Sequence, residues 1–190
     1  MSWSLGEVRA LSVKATRGAG FPWGLAEEAG YAVVWLQARK VDGRAALADY
    51  LSFIATSTIS NSGCPIRRGA ALSDGAAGVP QGSFNMAQPL LLLPFLTNAT
   101  DGYGSLRWNG CQVETGPEGV RMTGGASHPE IAECEWRSID RFEGNGCVTR
   151  VPEEAQEAMA TLTQFAHKTY APSTEQSRLA GAGAGLNDND

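Results

Sequence analysis

The chain has 190 residues, 43% of them hydrophobic and 18% charged, a length and balance suited to one sizeable hydrophobic core. Its net charge of -5, with 15 Lys and Arg against 20 Asp and Glu, argues against a surface that tracks phosphates, so no nucleic-acid partner is expected. The opening residues hold no basic stretch followed by an apolar one, and the longest apolar run, Pro89 to Leu96, is far short of the ~20 residues a membrane span needs; a cytoplasmic protein with no membrane attachment is expected.

Ser4-Leu5-Gly6-Glu7 matches a capping box, and Leu5, Val8, Leu11 and Ala15 recur at helical spacing until Gly18 supplies a stop, which predicts a first helix over 5–17. A second, from about Leu25 to Arg39, puts Leu25, Ala29, Ala32, Val33 and Leu36 on one stripe, and Val41-Asp42-Gly43 closes it. A third is expected over about 44–54. From Ser57 to Gly82 the chain is rich in Gly, Ala and Ser with poor periodicity, and the stretch around Cys64 to Arg68 reads as loop-like. The block Pro89–Leu96 fits a buried strand or a buried helix; its two prolines and its brevity favour an extended segment.

The third quarter carries the β signal. Leu106 and Trp108 alternate with polar residues, Asn109-Gly110 is a type I′ hairpin signature, and Cys111, Val113 and Thr115 continue the pattern. A turn at 116–119 leads into Val120–Met122. Ala132, Cys134 and Trp136 then alternate with Glu133, Glu135 and Arg137 as a half-buried strand requires, and a turn at 144–146 precedes a last strand at 147–151. Pro152 is expected to open an amphipathic helix to about Lys168, with Ala155, Met159, Leu162 and Phe165 or Ala166 inward. The fold class is therefore α+β: an antiparallel meander of four to five strands packed with N-terminal and C-terminal helices, as one domain over 1–180. Ser173–Gln176 suits a short final helix carrying Arg178, and the Gly/Asn/Asp-rich residues 181–190 form a tail with almost nothing to bury.

Cys64, Cys111, Cys134 and Cys147 are irregularly spaced without a C-x-x-C pair, so free thiols are expected; Cys64, before Pro65, is the one whose surroundings leave reactivity open. His128, with Glu130 and Glu133 nearby, is the one nucleus for a metal site, but the spacings fit no ligand signature and no metal is expected. Walker, nucleophile-elbow and Rossmann patterns are all missing, and the cofactor, if any, is unknown from the sequence.

Residues 17–31 concentrate the candidate chemistry. Gly20 permits a close backbone approach to a ligand, Pro22-Trp23 stiffens it, and the start of the second helix aims unpaired N–H groups at the same place. Arg17 suits a substrate carboxylate, or simply the end of the first helix. Glu27 and Glu28 fall in the expected first helical turn, where the dipole stabilises a carboxylate by roughly 0.3–1 kcal/mol; a carboxylate desolvated beside Trp23 and Phe21 would instead serve as general acid or base. Arg67 and Arg68, expected on a loop, and Arg178 supply further anion contacts.

Residues 17–31, the Pro89–Leu96 block and Ser177-Arg178-Leu179 with the following Gly-Ala-Gly-Ala-Gly resemble a bacterial family known only as a domain of unknown function. The resemblance implies a bacterial cytoplasmic protein and carries no catalytic residues across. The expected function is a small-molecule metabolic enzyme acting on an anionic substrate, such as an amino-acid-derived acid. Arg17, Gly20, Trp23, Arg67, Arg68 and Arg178 bind it, and Glu27 or Glu28 moves a proton. The alternative is a non-catalytic accessory or homo-oligomeric subunit that docks through Phe21, Pro22 and Trp23 and the tail.

Overall fold

Ser4 starts the first helix through the expected capping box. Its hydroxyl accepts the Glu7 N–H at 3.1 Å while the Glu7 carboxylate accepts the Ser4 N–H at 2.7 Å, so two donors that a helix start leaves unpaired are satisfied reciprocally. The computed structural model describes residues 2–100, 102–117, 119–124, 129–142, 150–152 and 156–170. In it α1 (Leu5–Gly18), α2 (Trp23–Ala38) and α3 (Gly43–Thr56) follow one another as the spacing predicts. Asp42 caps α3 by accepting the N–H groups of Arg44 and Ala45 at 3.1 and 3.2 Å. α6 (Gln156–His167) completes the helical layer by packing on α1 and α3. No helix among the described residues is long and apolar enough to cross a membrane.

Two expectations in the middle of the chain are corrected. The stretch read as a loop contains a 3-10 turn, Asn61–Gly63, and a true helix, α4 (Pro65–Ser73). Cysteine is a rare helix cap, and here Cys64 Sγ accepts the Arg67 N–H at 3.5 Å, with Pro65 in the first turn where its missing N–H costs nothing. The Pro89–Leu96 block is helical rather than extended: a 3-10 turn over Pro89–Leu92 runs into α5 (Leu93–Ala99). Leu90 to Leu93, Phe95 and Leu96 are all buried, so the segment is apolar on every side and offers no stripe for a periodicity to reveal. It lies between α4, α2 and α3, and α5 reaches β3.

The sheet is five-stranded and antiparallel, in the order β2 (Ser83–Met86), β6 (Ala132–Arg137), β3 (Gly104–Trp108), β4 (Cys111–Gly116), β5 (Gly119–Thr123). The Asn109-Gly110 hairpin forms as expected, with φ of 43° and 76° at the two turn residues and Trp108 opposite Cys111. Only β3, β4 and β5 are a simple meander; β6 returns to pair with β3, and the unforeseen β2 pairs with β6. Leu106, Trp108, Val113, Cys134 and Trp136 point inward and are buried, while Arg107, Glu114, Glu135 and Arg137 occupy the opposite, wetter face. Of the last expected strand, Arg150 and Val151 are described; they belong to β7 (Arg150–Pro152), which pairs with β1 (Ser2–Ser4) in a separate two-stranded ribbon, and of the helix expected from Pro152 the described part is Gln156–His167. The turn at 144–146, Cys147, the capping box at 173–176 and the tail at 181–190 lie outside the described residues.

Candidate functional site

The connection between α1 and α2 is a tight corner. Gly20, at φ 96°, supplies the left-handed backbone that lets the chain reverse, and Phe21 N–H returns to the Thr16 carbonyl at 3.3 Å. Pro22 then presets the first helical residue and accepts the Ala26 N–H at 3.0 Å. Arg17 Nη1 donates to the Phe21 carbonyl, and its guanidinium lies 4.9 Å from the centre of the Trp23 ring. Phe21 is buried, 6.4 Å from the Tyr50 ring, and on its other side stands the Arg67 guanidinium at 5.8 Å. The fold thus gathers Arg17, Gly20, Trp23 and Arg67. Arg17 has one donor engaged in closing the corner, and Trp23 is 61% exposed.

Glu27 and Glu28 lie elsewhere on the helix than the sequence predicts. Because α2 starts at Trp23, both fall in its second turn, beyond the reach of the dipole stabilisation expected for them. Four residues apart, Trp23 and Glu27 share a face, and Glu27 is exposed. Glu28 points differently. Partial burial holds its carboxyl above the usual range, the charges of Asp74 and Glu27 push the same way, and Arg9 opposes them.

The folded state binds the Glu28 proton more tightly than the unfolded chain, so stability falls as pH rises from the ordinary carboxyl range near 4.5 through the raised folded value. Glu28→Gln is therefore expected to melt at a higher temperature than the parent at pH 7, with the advantage shrinking as pH is lowered below 4.5. Scanning calorimetry at pH 4 and pH 7 checks this; an advantage of equal size at both would show that the carboxyl is not the cause.

Arg67 and Arg68 sit on α4, not on a loop, and at 3.6 residues per turn consecutive side chains leave a helix about 100° apart. The structure therefore separates them. Arg67 is exposed and faces the corner; Asp74, seven residues on, falls near the same side. Arg68 is half-buried against the sheet, its guanidinium 5.8 Å from the centre of the Phe84 ring. It lines a cavity of about 350 Å³ between the residues around the 3-10 turn and β2. Ser60, Ser62 and Asn85 form the polar part of the wall, with the two serine hydroxyls 3.1 Å apart; Ile59, Phe84 and Ile131 form the apolar part. Arg68 Nε is buried with no hydrogen-bond partner, and no ion pair to Arg68 occurs among the described residues. Of this cleft the sequence offered only Arg68. The other walls come from residues 58–63, 84–85 and 131, which are brought together only by the β2–β6 pairing and the packing of the 3-10 turn beside β2.

The thiols of Cys64, Cys111 and Cys134 are enclosed. Cys64 is buried, and its Sγ accepts the Tyr50 hydroxyl at 2.9 Å; burial, then the neighbouring sulfur, raises the Tyr50 hydroxyl well above its ordinary value. Burial pushes Cys134 up to about 12, and Cys111 also upward, as expected of small core side chains rather than nucleophiles. His167 occupies the last turn of α6, as read from the sequence. His128 and Arg178 lie outside the described residues.

Residues 3–78 match the family model described as "Protein of unknown function (DUF3726)". The match takes in the corner at 17–31 and both α4 arginines, whereas the Pro89–Leu96 block and the C-terminal residues lie beyond it. No curated protein and no solved structure matches the chain.

Proposed function

We propose that this protein recognises a small anionic metabolite in the cleft beside Arg68. The observation that carries the reading is the guanidinium itself: half-buried, stacked near Phe84, with a buried Nε–H that no acceptor among the described residues satisfies. Leaving such a donor unpaired costs about 1–3 kcal/mol, and a planar guanidinium is suited to carboxylates through two parallel hydrogen bonds. A cavity of about 350 Å³ suits a small metabolite. Among the described residues, no carboxylate, imidazole or thiol lines the cleft. Acid/base chemistry on an amino-acid-derived substrate, with Glu28 moving the proton, is a further step of the same proposal. It requires a substrate that also reaches the side of α4 marked by Arg67 and Asp74.

A ligand that binds only the folded state raises apparent stability in proportion to the logarithm of its concentration, by about 2.7 kcal/mol at one hundred times its dissociation constant. In a thermal-shift panel of carboxylates, amino acids and phosphates at millimolar concentration, at least one anion is expected to raise the melting temperature. Arg68→Gln is expected to abolish that rise while keeping the parental melting temperature without ligand to within a few degrees. A rise equal in parent and variant would remove Arg68 from the site. The exposed Trp23, with Pro22 and Gly24 beside it, favours a second reading, a non-catalytic docking subunit. That reading expects no response to any small anion, so the same panel separates the two.

A further inference from the structure

Resting on the anion-site reading above, we infer that the occupant of the Arg68 cleft is a monocarboxylic acid carrying a short apolar chain. Charge is the first reason. Among the described residues the cleft presents one guanidinium, which a single carboxylate neutralises; a phosphate dianion would leave an uncompensated charge in a partly desolvated place. Phosphate sites overcome this with free backbone N–H groups at a helix start or in a nest, and here the N–H groups of Gly63, Cys64, Arg67 and Arg68 are already taken. Gly63 N–H goes to Ser60 Oγ at 3.2 Å, Cys64 N–H to the Ser60 carbonyl at 3.1 Å, Arg67 N–H to Cys64 Sγ and Arg68 N–H to the Cys64 carbonyl at 3.0 Å. The charged group that the described cleft offers an anion is the planar fork of Arg68, whose geometry matches a carboxylate edge.

The walls give the second reason. Ile59, Phe84 and Ile131 present apolar surface in the same cavity, and Ile131 is 51% exposed, a large apolar side chain left in water. Hydrocarbon laid against these residues leaves water together with them. A ligand that satisfies both halves of the cleft has a carboxylate at one end and a few carbons at the other, within the available 350 Å³.

The test is a calorimetric titration of the full chain with acetate, butyrate, hexanoate and inorganic phosphate. Full burial of a methylene is worth about 0.8 kcal/mol, or nearly fourfold in affinity, so in a half-open cleft each added carbon should tighten binding about two- to fourfold until the cavity is filled. Phosphate should bind at least tenfold more weakly than hexanoate. Ile131→Ser should flatten the dependence on chain length, weakening hexanoate more than acetate, and Arg68→Gln should weaken every acid more than tenfold. Arg68→Lys, which keeps the charge but loses the fork, should fall between, and it serves if the glutamine variant does not fold. Binding that depends on Arg68 but is indifferent to chain length, or is tighter for phosphate, overturns the monocarboxylate assignment while leaving an anion site. Acids that bind Arg68→Gln as well as the parent, or no acid binding at all, overturn the underlying reading itself.

Discussion

Phe95→Ala is expected to lower the folding free energy by about 3–5 kcal/mol, a large fraction of the roughly 5–15 kcal/mol that separates a typical domain from its unfolded chain. Phe95 is 1% exposed on α5, its ring 5.7 Å from that of Tyr31 on α2 in an edge-to-face arrangement. On the other side it fills the space left by Gly69 of α4: a Cβ at Gly69 would fall 2.3 Å from the ring. The ring thus joins α2, α4 and α5, and truncating it opens a cavity among helices that hold one another apart, where little collapse can recover the lost contacts. Urea unfolding should show a lower midpoint at an unchanged slope, and Phe95→Leu, which restores part of the volume, should recover part of the loss. A loss below about 1 kcal/mol would mean that the ring is not packed as described. Because α4 also carries Arg67 and Arg68, the alanine variant should weaken anion binding even without touching the cleft.

Gly18→Ala is the second large expectation, and its sign is what makes it informative. On helix propensity alone alanine should stabilise the end of α1, since glycine is worse by roughly 1 kcal/mol in a helix. The structure predicts the opposite. A Cβ at Gly18 would lie 1.8 Å from the carbonyl oxygen of Phe165 in α6, and a backbone atom cannot rotate out of the way as a side chain can. Either α1 and α6 separate, losing part of the packing that holds the C-terminal helix to the bundle, or the α6 backbone deforms. The net destabilisation should be about 1–3 kcal/mol or more by thermal or chemical unfolding. Gly24→Ala provides the contrast: nothing lies within 4 Å of its missing Cβ, and it should be neutral or stabilise by up to about 1 kcal/mol. Equal effects at the two positions would refute the close approach of α1 and α6.

The expected stop at Gly18 illustrates how a correct boundary can rest on a different cause. α1 does end there, yet the left-handed residue is Gly20, and Gly18 is needed because another helix passes against it. Glu27 and Glu28 show the converse: a two-residue error in the start of α2 moved both out of the first turn and changed the physical account of each. For the candidate site, Arg17, Trp23 and Arg67 do come together, but Arg68 parts from them because adjacent helical residues diverge.

What the sequence alone determined was whatever a few neighbouring residues settle among themselves. The Ser4–Glu7 capping box, the Asn109-Gly110 hairpin and the alternation through Cys134 and Trp136 are local in this sense, each written in hydrogen bonds or side-chain directions spanning a handful of positions. The tertiary structure alone decided that Pro89–Leu96 is helical, that β6 returns to β3, and that Ser60, Arg68, Phe84 and Ile131 enclose one cavity. The reason is physical. A segment apolar on all sides has no preferred face of its own, and a cleft or a strand order is fixed by burial and pairing between residues dozens of positions apart, whose free energy appears only once the chain has closed around them.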